Sequence, residues 1–422
     1  MGGRGFVAAG MVVPLAMGVS AADVRVPSTK HVPSTKPVTY AGYQVRVPRD
    51  WPVYRLANDP GRCVRFDRHA VYLGTPGSDQ RCPAHLVGRS EALLIQPLPT
   101  PSARSLGPHA TILHGNRARP ATVPGDKLGR VRLVIEGASV LVTAAYAGHK
   151  DMMGQVLRGA RLTPRAQSTS VASARSRAGY ARPQDVTSGP GAPGDEWKGR
   201  GFDTCAAPSL RAMRAWRRSP YGAVGIYIGG INRACPDGNL SKSWVRKARH
   251  MGWHLMPLYV GSQAPCNDFH YEVHPGTAAA QARKQAKGAV HRAKRFGIGP
   301  GNPIYFDMEA YDSTNGKCRR AVLRFLSAWT KRLHHFGYLS GVYSSVASGI
   351  RDLYRARGHI AEPDDIWFAH WDGKATVWND PYLSNRPWHH QQRVKQYRGG
   401  HHERHGGVTI NVDSDVVDAD IA

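Results

Sequence analysis

Acidic side chains stand where three apolar segments of the C-terminal half end: Asp203, the pair Asp307 and Glu309, and Asp413 with Asp415. Asp307 and Glu309 are two residues apart in an extended run, so they share one strand face with Cα atoms about 6–7 Å apart. Cleavage of a glycosidic bond needs such a pair, with one carboxyl group protonated and another ionised. Clustered charges and burial push carboxyl pKa values apart, which provides both forms together.

We expect Glu309 to be the proton donor, because it ends its strand and has the longer side chain. Asp307, Asp203 and Asp413 are expected to tune the pKa of Glu309, to position water or substrate, and to stabilise oxocarbenium charge. Two other interpretations stay open: an aspartate at a strand end often caps a turn, and clustered carboxylates can bind a divalent cation. The cation site is the less favoured, and no metal or other cofactor is predicted.

Aromatic side chains flank the same segment ends. Sugar rings pack their C–H faces on aromatic rings, so a saccharide groove is the functional interpretation. The residues predicted to bind substrate are Tyr227, Tyr259, Tyr343, Trp371, Tyr397 and Asp415. For Tyr227 and Tyr305, filling of the protein core is an equally good interpretation.

Strand patterns alternate with helix patterns from Gly201 onward, which is typical of a parallel sheet. Helices are predicted over 277–296 and 319–336, with Gly297 and Gly337 as stops, and the helix signals after Trp371 are weak. Eight strands predict a (β/α)8 TIM barrel, an α/β fold in which catalytic groups lie at the carboxyl ends of strands. The predicted strands span 201–204, 223–230, 254–261, 303–309, 338–345, 365–371, 389–397 and 408–413.

The rest of the chain divides into four segments. Residues 1–22 read as a cleavable signal peptide, and 23–37 as a spacer with a repeated VPSTK. Residues 38–163 predict a small α+β domain of unknown role, with strands at 43–47, 70–74, 92–98, 130–137 and 139–146 and a helix over 151–162. Residues 164–198 are rich in Ser, Ala, Arg, Gly and Pro and predict a flexible linker, and the barrel follows over 199–422.

Six cysteines and a secretion signal predict disulfides. Two cysteines belong to the first domain, which pairs Cys63 with Cys82. The other four follow the first four barrel strands, and neighbouring loops would be joined as Cys205–Cys235 and Cys266–Cys318.

The formal net charge of +27 favours polyanionic partners, here anionic wall polymers. A nucleic-acid partner is not expected, because the secretion signal and the acidic site argue against it. No segment beyond the signal is apolar enough to span a membrane, and we expect a secreted or wall-associated monomer. The histidines at 389–390 and 401–405 predict a solvated loop and not a metal site, since HHERH is not an HExxH motif. The basic run over 283–295 predicts a solvated helix face.

The second domain resembles a secreted actinobacterial glycoside-hydrolase-like domain of unknown function, which is itself similar to the family 25 lysozymes. The resemblance covers about 201–420 and lies in GFDTC, GIYIGG, LMPLYVG, IYFDMEAYD, GVYSS, IWFAHWD, QQ…QY and VDSDVVD. It places Glu309 at the acid position and adds Gln396, beside Tyr397, to the substrate-binding residues. The cysteine set, Asp415 in place of an asparagine, and Pro257 in the third strand depart from the lysozymes.

Two functions follow from this reading. The first is a hydrolase that acts on peptidoglycan or another wall polysaccharide, and the alternative is a catalytically inactive protein that binds wall polysaccharide or regulates through the same groove. Hydrolysis requires that Asp203, Glu309 and Asp413 line one open pocket, without a lysine or arginine plugging it.

Overall fold

The computed structural model describes residues 34–98, 110–120, 130–147, 150–164 and 195–422, and residues 35–422 form one compact unit. The predicted signal peptide, most of the spacer and most of the linker lie outside the described residues. Strands begin at Thr35 and Asp195, so the first domain starts earlier than predicted and the barrel takes in the end of the predicted linker. None of the described helices is both long and apolar enough to cross a membrane.

The first domain is rich in β-structure. One sheet has the order β1-β2-β9 and the other β3-β4-β5-β8-β7-β6. The strands are β1 (Thr35–Tyr40), β2 (Tyr43–Pro48), β3 (Val53–Arg55), β4 (Ala70–Leu73), β5 (Ala92–Pro97), β6 (Ala110–Leu113), β7 (Arg130–Ile135), β8 (Val140–Ala145) and β9 (Arg161–Leu162). The predicted strands are confirmed, and β7 and β8 pair as an antiparallel hairpin, whereas β1, β3, β6 and β9 were missed.

The helix of the first domain, α1 (Lys150–Arg158), ends earlier than predicted. Gly159 stops it, and Arg161 and Leu162 then pair with β2 as a short strand. The amphipathic pattern continued past the glycine, so the pattern alone overestimated the helix length.

The second domain is a closed barrel of eight strands, as predicted. Alternation along the strands places Phe202 and Ile226 against the surrounding helices, and Asp203 and Tyr227 inside. Gly225 makes room there, since a Cβ at this position would lie 2.5 Å from the Cβ of Asp203. The strands are β10 (Asp195–Asp203), β11 (Tyr221–Gly229), β12 (His254–Tyr259), β13 (Pro303–Asp307), β14 (Leu339–Ser345), β15 (Asp365–Ala369), β16 (Gln392–His405) and β17 (Val408–Ile421).

Helices follow only the first five barrel strands, so the prediction of a complete (β/α)8 repeat was wrong. They are α2 (Leu210–Trp216), α3 (Lys242–His250), α4 (Ala278–Phe296), α5 (Gly316–His335), and a π-turn (Val346–Ile350) that continues into α6 (Arg351–Arg355). The two long helices agree with the prediction, and both predicted glycine stops have positive φ. Arg292 of α4 is buried and paired with Asp237, so that helix face is not wholly solvated.

The last strand runs antiparallel to both of its neighbours, β10 and β16. Gly406 and Gly407, both with positive φ, join β16 to β17 as a two-residue hairpin instead of a helical crossover. Asp413 therefore lies within a strand and not at its end, which corrects the prediction. The reversed direction still brings Asp413 to the predicted face, because it pairs in register with Asp203.

All three predicted disulfides are present: Cys63–Cys82, Cys205–Cys235 and Cys266–Cys318. The first two pack against each other where the first domain meets the barrel. They therefore support the loops of both domains at that junction.

Candidate functional site

Three buried aspartates meet inside the barrel at one end of its strands. Asp203, Asp413 and Asp415 are each at most 1 % exposed. Gln396 of β16 joins two of them, because its Nε2 donates to Asp203 Oδ2 at 2.8 Å and to Asp413 Oδ2 at 3.3 Å. Asp415 accepts from Trp367 Nε1 at 3.0 Å. Strands β10 and β17 thus supply one acidic layer. Trp367 of β15 and Gln396 of β16 hold this layer by hydrogen bonds.

Asp307 and Glu309 form the other half of the cluster. Asp307 ends β13 and is fully buried, whereas the Glu309 side chain is 25 % exposed. Gln263 holds the turn between them, since its Nε2 donates to Asp307 O and its Oε1 accepts from Glu309 N, both at 2.8 Å. The two carboxylates offer oxygens within 4.8 Å of each other. Of the clustered carboxylates, Glu309 is the one that solvent reaches.

A histidine of the first domain enters this cluster. The His85 Nε2 lies 2.7 Å from Glu309 Oε1, and its Nδ1 lies 2.7 Å from the hydroxyl of Tyr227. Tyr227 in turn donates to Asp203 Oδ1 at 3.1 Å. His85 thus connects both halves of the carboxylate cluster from a different domain. The acids converge as predicted, but the open pocket that hydrolysis requires is partly filled, by a histidine and not by a lysine or arginine.

The carboxyl groups have shifted pKa values for different reasons. Burial raises the pKa of Asp203 to about 6 and that of Asp413 to about 8. Burial and the charge of Glu309 raise the pKa of Asp307 well above its usual range. Burial would also raise the pKa of Glu309, but the charge and hydrogen bond of His85 outweigh it and lower that pKa. The cluster therefore holds protonated and ionised carboxyl groups side by side.

The pKa of His85 is raised well above 6.5. Burial acts in the opposite direction, but the charge and hydrogen bond of Glu309 outweigh it, with smaller contributions from Asp307 and Asp203. His85 is therefore cationic at neutral pH, and both ring N–H groups donate.

Within this cluster, two sets of three side chains could hold a cation by spacing alone: His85 with Asp307 and Glu309, and His85 with Asp203 and Asp413. Both sets depend on His85. Its two nitrogens already contact Glu309 and Tyr227, and a cationic imidazole has no free lone pair for a metal. The arrangement fits an ion pair better than a cation site.

The predicted substrate-binding aromatic residues other than Tyr259 differ in how far they are exposed. Tyr343 donates to Gln396 Oε1 at 3.0 Å and, like Tyr227, is buried beneath His85. Trp371 is 63 % exposed and donates to the same oxygen at 2.9 Å. Tyr397 lies half-buried at a bulge in β16.

Tyr259 is a wrong prediction. It packs outside the barrel wall against Trp329, with ring centroids 5.8 Å apart, because strand alternation turns Leu258 inward instead. Tyr305 is fully buried against Trp367 and fills the barrel.

The histidine-rich segment 401–405 belongs to the extended part of β16 and is not a loop, which corrects that prediction. His401 and His405 bond the two carboxylate oxygens of Glu403 at 2.8 and 2.9 Å. Strand alternation places these three side chains on one face, so the motif has a structural role in the hairpin.

Sequence reasoning missed His85, Gln263 and Trp367. The positions of Trp367 and Gln263 depend on strand register and loop conformation, which the alternation of strand and helix patterns does not determine. His85 had no signal in the sequence, because it stands in an irregular segment after Cys82 in a domain without a recognised motif.

Residues 214–417 match a family model described as Rv2525c-like, glycoside hydrolase-like domain. The match includes Asp307, Glu309 and Asp413 and begins after Asp203. A comparison with curated proteins finds no match.

Several solved structures are similar to the barrel. An uncharacterized B. stearothermophilus protein is 19 % identical, with a TM-score of 0.36 and coverage of 52 % of this chain and 95 % of the other. A family 25 glycosyl hydrolase from Bacillus anthracis is 18 % identical, with a TM-score of 0.34 and coverage of 52 % and 89 %. The modular autolysin LytC from Streptococcus pneumoniae is 16 % identical, with a TM-score of 0.34 and coverage of 52 % and 46 %. The family match agrees with the resemblance stated from the sequence, and residues 214–417 are similar to the Rv2525c-like, glycoside hydrolase-like domain.

Proposed function

We propose that this protein is a secreted glycoside hydrolase that cleaves peptidoglycan or another wall polysaccharide. The observation that carries the proposal is the convergence of Asp203, Asp307, Glu309 and Asp413 at one barrel mouth, with pKa values shifted in opposite directions. General acid catalysis needs a protonated and an ionised group within reach of one bond. The glycoside hydrolase-like family supports the same reaction class.

Glu309 is the proposed proton donor, because it is the member of the cluster that solvent reaches. Asp307 lies next to it and stabilises the protonated form of the pair by like-charge repulsion. One oxygen of each carboxyl group lies within 4.8 Å of the other, so the two groups act as a pair.

The proposed substrate groove extends from Glu309 toward Trp371, whose exposed ring offers a face for a sugar. Tyr227, Tyr343, Gln396 and Asp415 support the acidic layer beneath. The basic net charge of +27 would hold the protein on anionic wall polymers while the groove engages the glycan. Three disulfides fit a secreted protein.

The test measures reducing ends released from purified peptidoglycan by the wild-type chain and by Glu309→Gln. Because His85 contacts Glu309, the same comparison is repeated in a His85→Ala background. We expect Glu309→Gln to lower release by about 10²–10⁴-fold in the more active background. Equal release with and without Glu309 would exclude it as the acid.

One observation favours the alternative, a wall-binding or regulatory protein without catalysis. His85 keeps the proposed acid ionised and bonded. This alternative predicts that the protein co-sediments with peptidoglycan, that binding survives Glu309→Gln, and that no reducing ends form in either background.

A further inference from the structure

The backbone on both sides of His85 is fixed to the barrel. We call residues 84–88 the mouth segment. The amide of Ala84 donates to Asn411 Oδ1 at 2.7 Å, and the amide of Gly88 donates to the Asn232 carbonyl at 2.8 Å. Val87 also forms an isolated β-bridge with Arg233. The segment is thus held by loops that follow β11 and by β17, and it spans the mouth between them.

Within this segment, His85 points at the one carboxylate that is partly exposed. Its Nε2 lies 2.7 Å from Glu309 Oε1, and its ring lies within 6 Å of the rings of Tyr227 and Tyr343, with centroid distances of 5.9 and 5.8 Å. A general acid must come within about 2.6–3.2 Å of the oxygen that it protonates. The imidazole therefore occupies, at Glu309 Oε1, a position that a glycosidic oxygen would take.

The contact also fixes the wrong protonation state. A general acid must carry a proton before it reacts, whereas the cationic imidazole favours the ionised form of Glu309. Geometry and charge therefore act in the same direction. In this conformation no sugar can take the place of the imidazole at Glu309 Oε1, and the ionised Glu309 has no proton to donate to a glycosidic oxygen.

We propose that the mouth segment is an autoinhibitory element of the first domain, and that His85 blocks substrate from the acidic site of the barrel. The proposal rests on the proposed function and adds its regulation. Catalysis then requires that His85 leave the mouth, and the ligand that competes with it is the polysaccharide itself. The first domain, for which the sequence predicts no role, becomes the regulator of the second.

The proposal is tested on the full chain with three variants. His85→Ala removes the imidazole and leaves the backbone contacts. Asn411→Ala weakens the hold on the mouth segment without touching the acidic site. His114→Ala is the matched control, because His114 pairs with Glu136 at 3.1 Å in the same domain but on an exposed surface.

Two functional measurements are made on each variant: reducing ends released from purified peptidoglycan, and affinity for soluble peptidoglycan fragments. Removing a competing state raises the apparent affinity by the inverse of the competent fraction. We expect His85→Ala to raise both by about tenfold or more and Asn411→Ala to raise them by about two- to fivefold. His114→Ala should match the wild type.

A third measurement does not depend on hydrolysis. Carbodiimide coupling of glycine ethyl ester to Glu309, read by peptide mass spectrometry, reports how accessible this carboxylate is. His85→Ala should increase the labelling several-fold, and His114→Ala should leave it unchanged. Unchanged labelling in His85→Ala would mean that His85 does not cover Glu309, and this would overturn the inhibition whatever the activity.

The remaining outcomes separate the two proposals. Increased labelling with equal turnover by the wild type and His85→Ala overturns the inhibition and leaves the hydrolase standing. Increased labelling with neither turnover nor fragment binding in any variant overturns the hydrolase, and the inhibitory role with it. Increased labelling, turnover and binding together support both.

Discussion

Both ends of the barrel bury carboxyl groups with raised pKa values, yet the two ends differ in what surrounds these groups. At the mouth, acids from three strands meet Gln396 and the hydroxyl of Tyr227. At the opposite end, Asp365 starts β15, fully buried, and burial together with the charge of Asp420 raises its pKa well above the usual range. Burial raises the pKa of Asp420 to about 6.

A raised carboxyl pKa therefore does not by itself identify an active site. Asp365 lies where parallel barrels place residues for stability and not for catalysis. The mouth adds one thing that the opposite end does not show among its described contacts: a side chain from another domain, His85, which pairs with an acid of the cluster. The following predictions test this contrast.

The largest expected effect separates Asp307 from Asp365. In the His85→Ala background, Asp307→Asn should lower reducing-end release from peptidoglycan by about 10²-fold or more, because the pair loses the carboxyl group whose raised pKa keeps a proton next to Glu309. Asp365→Asn removes an equally buried carboxyl group and should leave release within about twofold. Similar losses in both variants would mean that the carboxyl group at the mouth matters no more for activity than the one at the opposite end. Circular dichroism would confirm that each variant is folded.

A smaller effect concerns stability as the pH changes. Carboxyl groups whose folded-state pKa is raised stabilise the fold below their unfolded pKa of about 4, and this contribution is lost as the pH rises through the folded pKa. For Asp203 and Asp420 that loss runs from about pH 4 to about pH 6, and for Asp413 from about pH 4 to about pH 8. The free energy of unfolding should therefore decrease between about pH 4 and pH 8.

Substitution separates the two ends in this measurement as well. Asp420→Asn should remove part of the decrease between about pH 4 and pH 6, whereas the part that Asp413→Asn removes should extend to about pH 8. At pH 9 we expect Asp413→Asn to stabilise the fold by about 1–2 kcal/mol in urea unfolding. Identical pH profiles for wild type and both variants would contradict these assignments.

The smallest expected effect concerns the exposed aromatic side chain beside the mouth. Trp371→Ala should weaken binding of an N-acetylglucosamine oligosaccharide by about five- to tenfold in the His85→Ala background, because a sugar loses its stacking face. Tyr382 is the control, since it is 49 % exposed but packs against His370 instead of hydrogen-bonding to Gln396. Calorimetry that finds equal losses for both would place the sugar elsewhere.

Much of the barrel could be predicted from the sequence because its strands are short apolar runs with acids in fixed places. Asp203, Asp307, Glu309 and Asp413 do converge, and the cysteines pair as expected. The direction of β17 was missed, although the Gly406-Gly407 pair between two extended runs is a hairpin signal. Because the eighth strand was expected to be parallel, Asp413 was predicted at its carboxyl end. Asp413 does reach the mouth, but from within an antiparallel strand.

The prediction for Tyr259 was wrong and His85 was missed for different physical reasons. One residue of register decides whether a strand side chain faces into the barrel or against its helices, and the alternation around Tyr259 is apolar on both faces. The approach of His85 to Glu309 joins positions 224 residues apart through a domain interface. No local pattern encodes such a contact, because it depends on how two folded surfaces fit.

The closing strand also sets an order for biogenesis. Strand β10 begins the barrel, but its partner β17 is the last strand to be synthesised, and the two pair over Asp195–Asp203 and Asp413–Ile421. Long-range pairing of this kind is slow and leaves strand edges open until it forms. During folding the chain must therefore keep β10 from pairing wrongly across more than two hundred residues, and Asp203 meets Asp413 only when the ring closes.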